Sequence, residues 1–160
     1  AGLTPLAACL RSSPHAAVRT KPVALLARER TLSAWGDTMT AATSFLGRAL
    51  LAGIFILAGI NKLQGYETTA GYMQQFGVPG LLLPGTIALE ILGGLAVLAG
   101  FYARLAAIPL AIFTIVAGLI FHGNFADNIQ FVLFLKNLAI AGGFLLLFAH
   151  GPGAWAVNDR

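Results

Sequence analysis

Residues 80–100 read GLLLPGTIALEILGGLAVLAG and hold a single charged side chain, Glu90, near the middle of an otherwise apolar run. A run of about 20 apolar residues is the length that an α-helix needs to cross the hydrocarbon of a bilayer. A carboxylate at that depth costs roughly 3 kcal/mol or more unless it is paired. The stretch therefore predicts a membrane helix, and Glu90 becomes the first candidate for packing, for proton or ligand chemistry, or for docking a partner.

The composition indicates an integral membrane protein of one domain. Hydrophobic residues make up 58% of the 160 residues and charged residues only 10%, whereas soluble domains carry about 25% charged residues. The net charge is +4, yet five of the ten Lys and Arg lie before residue 31 and no basic face with interleaved aromatics follows. This excludes nucleic-acid binding as the function. The only cysteine, Cys9, lies in the same N-terminal region, so no intrachain disulfide can form.

Four apolar runs predict the fold class, an all-α membrane bundle of four transmembrane helices. Strands are excluded because the runs are long and do not alternate, and a backbone in hydrocarbon must satisfy its own hydrogen bonds. Residues 66–80, YETTAGYMQQFGVPG, place Tyr72, Met73 and Phe76 at helical spacing and predict a short outer amphipathic helix on the membrane surface. The predicted spans are Ser44–Leu63, Leu81–Ala99, Ala103–Phe121 and Ile129–Ala149.

Residues 1–43 differ in composition from the rest, being rich in Ala, Pro, Ser and Arg. They predict a basic, poorly ordered extension with a short helix at Val23–Ala34, ahead of a membrane domain at residues 44–160. Two interpretations stay open: a start at Met39, or an extension whose composition is like that of a transit peptide. Basic residues precede the first span and are absent from the loop after it, which predicts cytoplasmic termini in a bacterial inner membrane.

Each span carries a stripe of small and polar residues at helical spacing, which predicts the faces that pack together. The polar residues share these faces, so we expect them to point into the bundle and not into lipid. The stripes are Arg48, Ala52, Phe55, Gly59 and Lys62; Thr86, Glu90, Gly93, Val97 and Gly100; Ala107, Ala111, Thr114, Gly118 and His122; and Lys136, Ala139 and Gly143.

The candidate catalytic cluster is Glu90 with Lys136 and Asn137. The second and fourth spans run in the same direction, and the rise of 1.5 Å per residue puts Glu90 and Lys136 within about 5 Å of one depth. We expect a contact between them, direct or through Asn137 or water. It is either a buried ion pair that sets helix register or a proton or ligand site, because ionisable residues inside a membrane are functional candidates.

Five further residues complete the candidate site, as the lining of a substrate or quinone pocket: Arg48, Phe55, Lys62, His122 and Phe134. For Arg48 the simpler interpretation is a side chain that reaches lipid headgroups, and for Lys62 and His122 it is an interfacial position. His122 and His150 lie at opposite ends of the predicted bundle, so the two cannot bind one haem or one metal ion. No metal site is predicted.

The chain resembles the DoxX family of small bacterial membrane proteins. The stretches that carry the resemblance are GRALLAGIFILAGINKL at 47–63, TTAGYMQQFGVP at 68–79, IALEILGGLAVLAGFYARLAA at 87–107 and FLKNLAIAGG at 134–143. The resemblance implies a four-helix inner-membrane protein that works in a redox complex linked to quinone. The polar positions of the family fall here on Arg48, Lys62, Glu90, Arg104, Lys136 and Asn137. No membrane cysteine is present, which argues against thiol chemistry by this chain.

Three functions are compatible with these observations. The first is a subunit of a quinone-linked redox complex, with quinone near Glu90, Lys136, Phe55 and Phe134 and a soluble redox partner protein. The second is a small proton-coupled solute transporter, which would need a homodimer because four helices are few. The third is a structural or assembly partner without its own activity. The residues themselves predict no cofactor, the resemblance admits a quinone, and membrane lipids are the surroundings in every case.

Overall fold

The computed structural model describes residues 23–158, and all of their regular secondary structure is helical. The chain forms two units, the first ending at Ala34 and the second running from Trp35 to Arg160. The part of the N-terminal extension at residues 1–22 lies outside the described residues. The helices are α1 (Val23–Gln64), α2 (Tyr66–Gln75), α3 (Leu83–Ala99), α4 (Ala103–Phe121) and α5 (Asn128–His150), with a 3-10 turn at Gly80–Leu82 before α3.

Four of these helices, α1, α3, α4 and α5, are long and apolar enough to cross a membrane. The predicted fold class is confirmed, including the short helix α2 between the first two spans. The bundle, at Trp35–Asn158 of the second unit, has two ends that are named here by what lies at them. The α2 end carries α2, and the tail end carries the chain after α5, residues 151–158. Which end faces the cytoplasm stays a prediction.

Helix α1 is longer than predicted. The expected short helix at Val23–Ala34 and the expected span from Ser44 are parts of one 42-residue helix. Residues 35–43, WGDTMTAAT, contain no proline to interrupt it. Thr40 and Thr43 turn their hydroxyls back to the carbonyls of Gly36 and Met39, at 2.9 and 2.8 Å.

Two adjacent glycines of α3 bring α1 and α4 close to it from two sides. A Cβ on Gly94 would lie 2.8 Å from Cγ1 of Ile56 in α1, and a Cβ on Gly93 would lie 3.2 Å from the side chain of Leu110 in α4. Without a hydrophobic force between helices in lipid, close packing of this kind holds them together. Closer to the α2 end of the contact between α1 and α3, Gly59 of α1 packs against Ile91 of α3.

Helix α5 closes the ring of four helices by packing against both α4 and α1. Gly118 of α4 lies against Asn137, since a Cβ there would be 3.1 Å from the amide side chain. Gly143 lies against Leu51 of α1, again at 3.1 Å from a Cβ. Each spanning helix therefore has two neighbours, in the order α1, α3, α4, α5.

The predicted inward stripes are confirmed for α1, α3 and α4, but the stripe of α5 is wrong at two of its three residues, since only Gly143 packs inward, against Leu51. Lys136 and Ala139 are exposed, and the buried face of α5 is formed by Ala141, Phe144 and Leu147. The error amounts to a rotation of about 100°, one residue along the helix. The cause is that α5 packs against α1 through the ring of Phe144, and not only through its small residues. The Phe144 ring lies edge-on to that of Phe55, with 5.2 Å between centroids.

The chain after α5 folds back over the tail end of the bundle. The amide of Val157 donates to the carbonyl of Ala99 at 3.0 Å, and the amide of Asn158 donates to that of Gly100 at 3.2 Å. Gly100 ends α3 with a φ of 71°, in the left-handed region that favours glycine. These bonds satisfy carbonyls that the last turn of α3 would otherwise leave without a partner.

Candidate functional site

A cavity of about 490 Å³ lies among the membrane helices in the half of the bundle at the α2 end. Its volume is within the roughly 300–1,000 Å³ of ligand pockets. All four spanning helices contribute to its wall, and α2 covers it. The lining is mainly apolar, and its polar and charged side chains are Lys62, Thr69, Tyr72, Thr86, Glu90, Thr114, His122 and Asn137.

One ion pair stands in the wall of this cavity, between Lys62 of α1 and Glu90 of α3. Lys62 Nζ donates to Glu90 Oε1 at 2.8 Å, and the side chains are 26% and 4% exposed. The pair forms because Gly59, one turn before Lys62, lets α1 approach α3: a Cβ on Gly59 would lie 3.4 Å from the Cβ of Glu90. A charge-assisted bond of this kind is stronger than a neutral hydrogen bond.

The predicted contact between Glu90 and Lys136 is therefore wrong. Glu90 is paired with Lys62, and Lys136 is exposed on α5 and does not line the cavity. The depth argument placed both side chains at a similar level, but the rotation of α5 turns Lys136 out of the bundle. Its neighbour Asn137 takes the inward position and lines the cavity.

The second carboxylate oxygen of Glu90 is the most informative atom of the site. Glu90 Oε2 is buried and has no hydrogen-bond partner. Two other buried side-chain atoms of the described residues are in this state, Nε of Arg48 and Nε of Arg104, and neither residue lines the cavity. An acceptor buried without a partner costs about 1–3 kcal/mol, more for a charged group, so Glu90 keeps an unused capacity to accept a hydrogen bond.

Five of the eight predicted site residues come together here, and three do not. Phe55, Lys62, Glu90, His122 and Asn137 line the cavity. Phe134 instead lies in the contact between α4 and α5, at 3.3 Å from a Cβ on Gly118 and with its ring 5.0 Å from that of Phe125. Lys136 and Arg48 also lie outside the cavity lining, Lys136 exposed on α5 and Arg48 buried in α1.

Arg48 is a buried structural residue at the tail end, not a pocket residue or a lipid anchor. It is 2% exposed, and its guanidinium donates to the carbonyl of Leu98 at 3.2 Å and to the carbonyl of Trp155. It thereby caps the end of α3 and holds the returning chain. Arg104 also lies at the tail end, with its guanidinium against Gly151 at the end of α5.

His122 occupies the end of the cavity nearest to α2. Its Nδ1 lies 2.7 Å from Oε1 of Gln130 in α5. An amide oxygen only accepts hydrogen bonds, so this contact requires a proton on Nδ1 of His122. The hydrogen bond also ties the end of α4 to the first turns of α5.

An aromatic cluster over the cavity was not predicted as part of the site. Tyr72 of α2 stacks on Phe121 of α4 with an angle of 21° and 5.5 Å between centroids, and Phe76 contacts both rings. Tyr72 and Phe121 line the cavity together with Met73. The signal was present in the sequence as the helical spacing of Tyr72, Met73 and Phe76, but the sequence did not show that the rings of Tyr72 and Phe76 contact Phe121 of α4.

Comparison with known proteins gives consistent matches. The DoxX family model matches residues 43–123. The chain is 47% identical to Inner membrane protein YqjF of Escherichia coli over 71% of this chain and 87% of the relative. It is 32% identical to Inner membrane protein YphA of Escherichia coli over 72% and 87%. It is 27% identical to Putative oxidoreductase CatD of Bacillus subtilis over 64% and 81%. No solved structure matches.

Proposed function

Since the chain belongs to the DoxX family of membrane proteins, we propose that it is a membrane subunit of a quinone-linked redox complex and binds the quinone ring in the cavity at the α2 end. The name of one relative, Putative oxidoreductase CatD, supports a redox setting. The apolar lining and the membrane-spanning helices support a ligand that is soluble in lipid.

The observation that carries the proposal is the unpartnered Glu90 Oε2 beside Lys62 in the wall of an apolar cavity. A quinone ring offers carbonyl oxygens, and its reduced form offers hydroxyl groups. Lys62 has three N–H donors and uses one on Glu90, so a donor is left for a carbonyl. Glu90 Oε2 accepts from a hydroxyl. The pair therefore has a hydrogen bond for either form of the ring.

The aromatic side chains of the lining suit a flat ring. Phe55, Tyr72 and Phe121 line the cavity at different heights, and stacked or edge-on ring pairs contribute about 0.5–1.5 kcal/mol beyond the buried area. Reduction of a quinone takes two electrons and two protons. The side chains that line the cavity are not two-electron donors, so the proposal assigns the electrons to a soluble redox partner protein and describes this chain as a subunit.

The test is the binding of a short-chain quinone and its quinol to the purified protein in lipid nanodiscs. Glu90→Ala removes the acceptor and is expected to weaken quinol binding by about tenfold to a hundredfold, the value of a hydrogen bond to a charged group. Lys136→Ala is the matched control, because this second charged residue is exposed and outside the cavity. It should change the dissociation constant less than about twofold.

Two outcomes would contradict the proposal: no binding of either form by the unmodified protein, or equal binding by the Glu90→Ala and the unmodified protein. If Glu90→Ala fails to fold, Glu90→Gln serves as the second variant. It keeps the size of the side chain and an oxygen that can accept a hydrogen bond from Lys62.

A purely structural role is the second candidate, and the ion pair favours it, since it joins α1 to α3. In that case loss of the pair would lower the stability of the bundle, and the cavity would bind no ring. Measuring unfolding and binding on the same Glu90 variants separates the two functions.

A further inference from the structure

We propose that the ligand of the cavity carries a long apolar tail, which leaves the bundle between α1 and α5 beside Ile54. The inference rests on the proposed function, because the ring must sit in the cavity, and it adds the class of ligand: a quinone with a polyisoprenoid tail. It also names the residue at which the tail enters the surrounding lipid.

Helices α1 and α5 contact each other on the tail-end side of the cavity, and toward the α2 end they lie on two sides of the cavity. Toward the tail end they meet through Phe55 and Phe144, with ring centroids 5.2 Å apart, and through Leu51 and Gly143. Toward the α2 end, Ala58 and Lys62 of α1 and Asn137 and Ile140 of α5 all line the cavity. The cavity therefore occupies the space between the two helices above the contact of the phenylalanines.

Three apolar residues that line the cavity are about half exposed: Ile54 at 50%, Leu82 at 56% and Val116 at 46%. Of these, Ile54 is the one on α1, beside the space between α1 and α5, and it marks the place where that space reaches the surface. It lies one residue before the buried Phe55, which forms the floor. Ten residues separate Ile54 from the end of α1 at Gln64, about 15 Å along the helix axis. At that depth the surroundings are hydrocarbon.

The size of the cavity requires such an exit for a long tail. About 490 Å³ suits a ligand of the size of a drug, which is a quinone ring with a short substituent. A polyisoprenoid chain is several times larger and must lie outside. In hydrocarbon the polyisoprenoid chain has no unfavourable transfer free energy. In water each exposed CH₂ would cost roughly 0.8 kcal/mol.

The experiment compares two ligands with the same quinone ring in nanodiscs, one with a single isoprene unit and one with a long polyisoprenoid tail. Ile54→Trp fills the opening with a large side chain at a half-exposed position. It is expected to weaken binding of the long-tailed quinone by about tenfold or more and to leave the short-tailed one within about twofold. Leu57→Trp is the matched control, because Leu57 lies on the same helix, is 63% exposed and does not line the cavity.

Val116→Trp provides the competing position. Val116 of α4 also lines the cavity and is 46% exposed. Selective loss of the long-tailed quinone in Val116→Trp, with Ile54→Trp unaffected, would overturn the inference, as would equal effects of Ile54→Trp on both ligands. Failure of the unmodified protein to bind even the short-tailed quinone would instead overturn the proposed function, so the two failures are distinguishable.

A chemical measurement on the same position does not depend on a bulky substitution. Ile54→Cys in a Cys9→Ser background is labelled with a maleimide soluble in lipid. The long-tailed quinone is expected to slow the labelling by about fivefold or more, while the short-tailed one leaves the rate unchanged. Equal protection by both ligands would contradict the exit at this residue.

Discussion

Lys62 and Glu90 differ in how far each is removed from the surroundings, with side chains 26% and 4% exposed. Glu90 depends on Lys62, since Lys62 supplies the one hydrogen bond that its carboxylate makes among the described residues. Lys62 can also use its length to reach the edge of the bundle. Breaking the pair therefore costs more free energy at the buried carboxylate of Glu90 than at the more exposed Lys62.

This asymmetry predicts the result of a double-mutant cycle. Lys62→Met leaves Glu90 buried without a counter-charge and is expected to lower the free energy of unfolding by about 3 kcal/mol, at the low end for a broken buried pair. Adding Glu90→Met removes the stranded charge and should restore most of the loss. Denaturation in mixed detergent measures both variants, and a double variant as unstable as Lys62→Met alone would show that the pair does not set this stability.

At the scale of the element, α3 is the helix that organises the bundle, because its glycines face two partners. Gly94 lets the backbone of α1 come near: a Cβ there would lie 3.3 Å from the carbonyl oxygen of Ala52 as well as 2.8 Å from Ile56. That approach also brings Lys62 within reach of Glu90. Gly85, in the first turn of the same helix, has open space around it.

The two glycines predict opposite results for one substitution. Glycine lowers helix stability by about 1 kcal/mol relative to alanine, so Gly85→Ala is expected to leave the melting temperature unchanged or to raise it. Gly94→Ala should lower the melting temperature despite the gain in helix propensity. The added methyl group overpacks the contact with α1 and is expected to lower the free energy of unfolding by about 1–3 kcal/mol. Thermal unfolding of both variants in the same detergent measures this, and equal effects would mean that α1 and α3 are not held by close approach.

At the scale of the whole molecule, the two ends of the bundle have separate tasks. The α2 end holds the cavity and its polar side chains. The tail end is closed by residues 151–158, which bind the end of α3 through Val157, Asn158 and the guanidinium of Arg48. Pro152 is fully buried in this closure.

Ending the chain at Ala154 tests this division. The truncation removes two backbone hydrogen bonds and a carbonyl partner of the buried Arg48, which together predict a loss of about 3 kcal/mol in stability. Ligand affinity at the opposite end should change less than about twofold. Thermal unfolding and quinone binding on the same sample measure both, and a parallel loss of affinity would show that the two ends are coupled.

Hydropathy and the spacing of small residues determined much of this protein by themselves. The four spanning helices, the short α2, the inward faces of α1, α3 and α4, and a central place for Glu90 follow from the sequence, because a lipid environment requires long apolar helices with closely packed small residues. Five of the eight candidate site residues line the cavity for the same reason.

Only the tertiary structure decided the partner of Glu90, the position of Arg48 and the rotation of α5. A helix that is apolar on every side carries little periodic signal to show which face is buried. Its rotation follows from contacts with its neighbours, here the ring of Phe144 on Phe55. That rotation turned Lys136 outward and Asn137 inward. The choice of Lys62 likewise depended on Gly59, whose missing side chain brings α1 close enough to α3 for the pair to form.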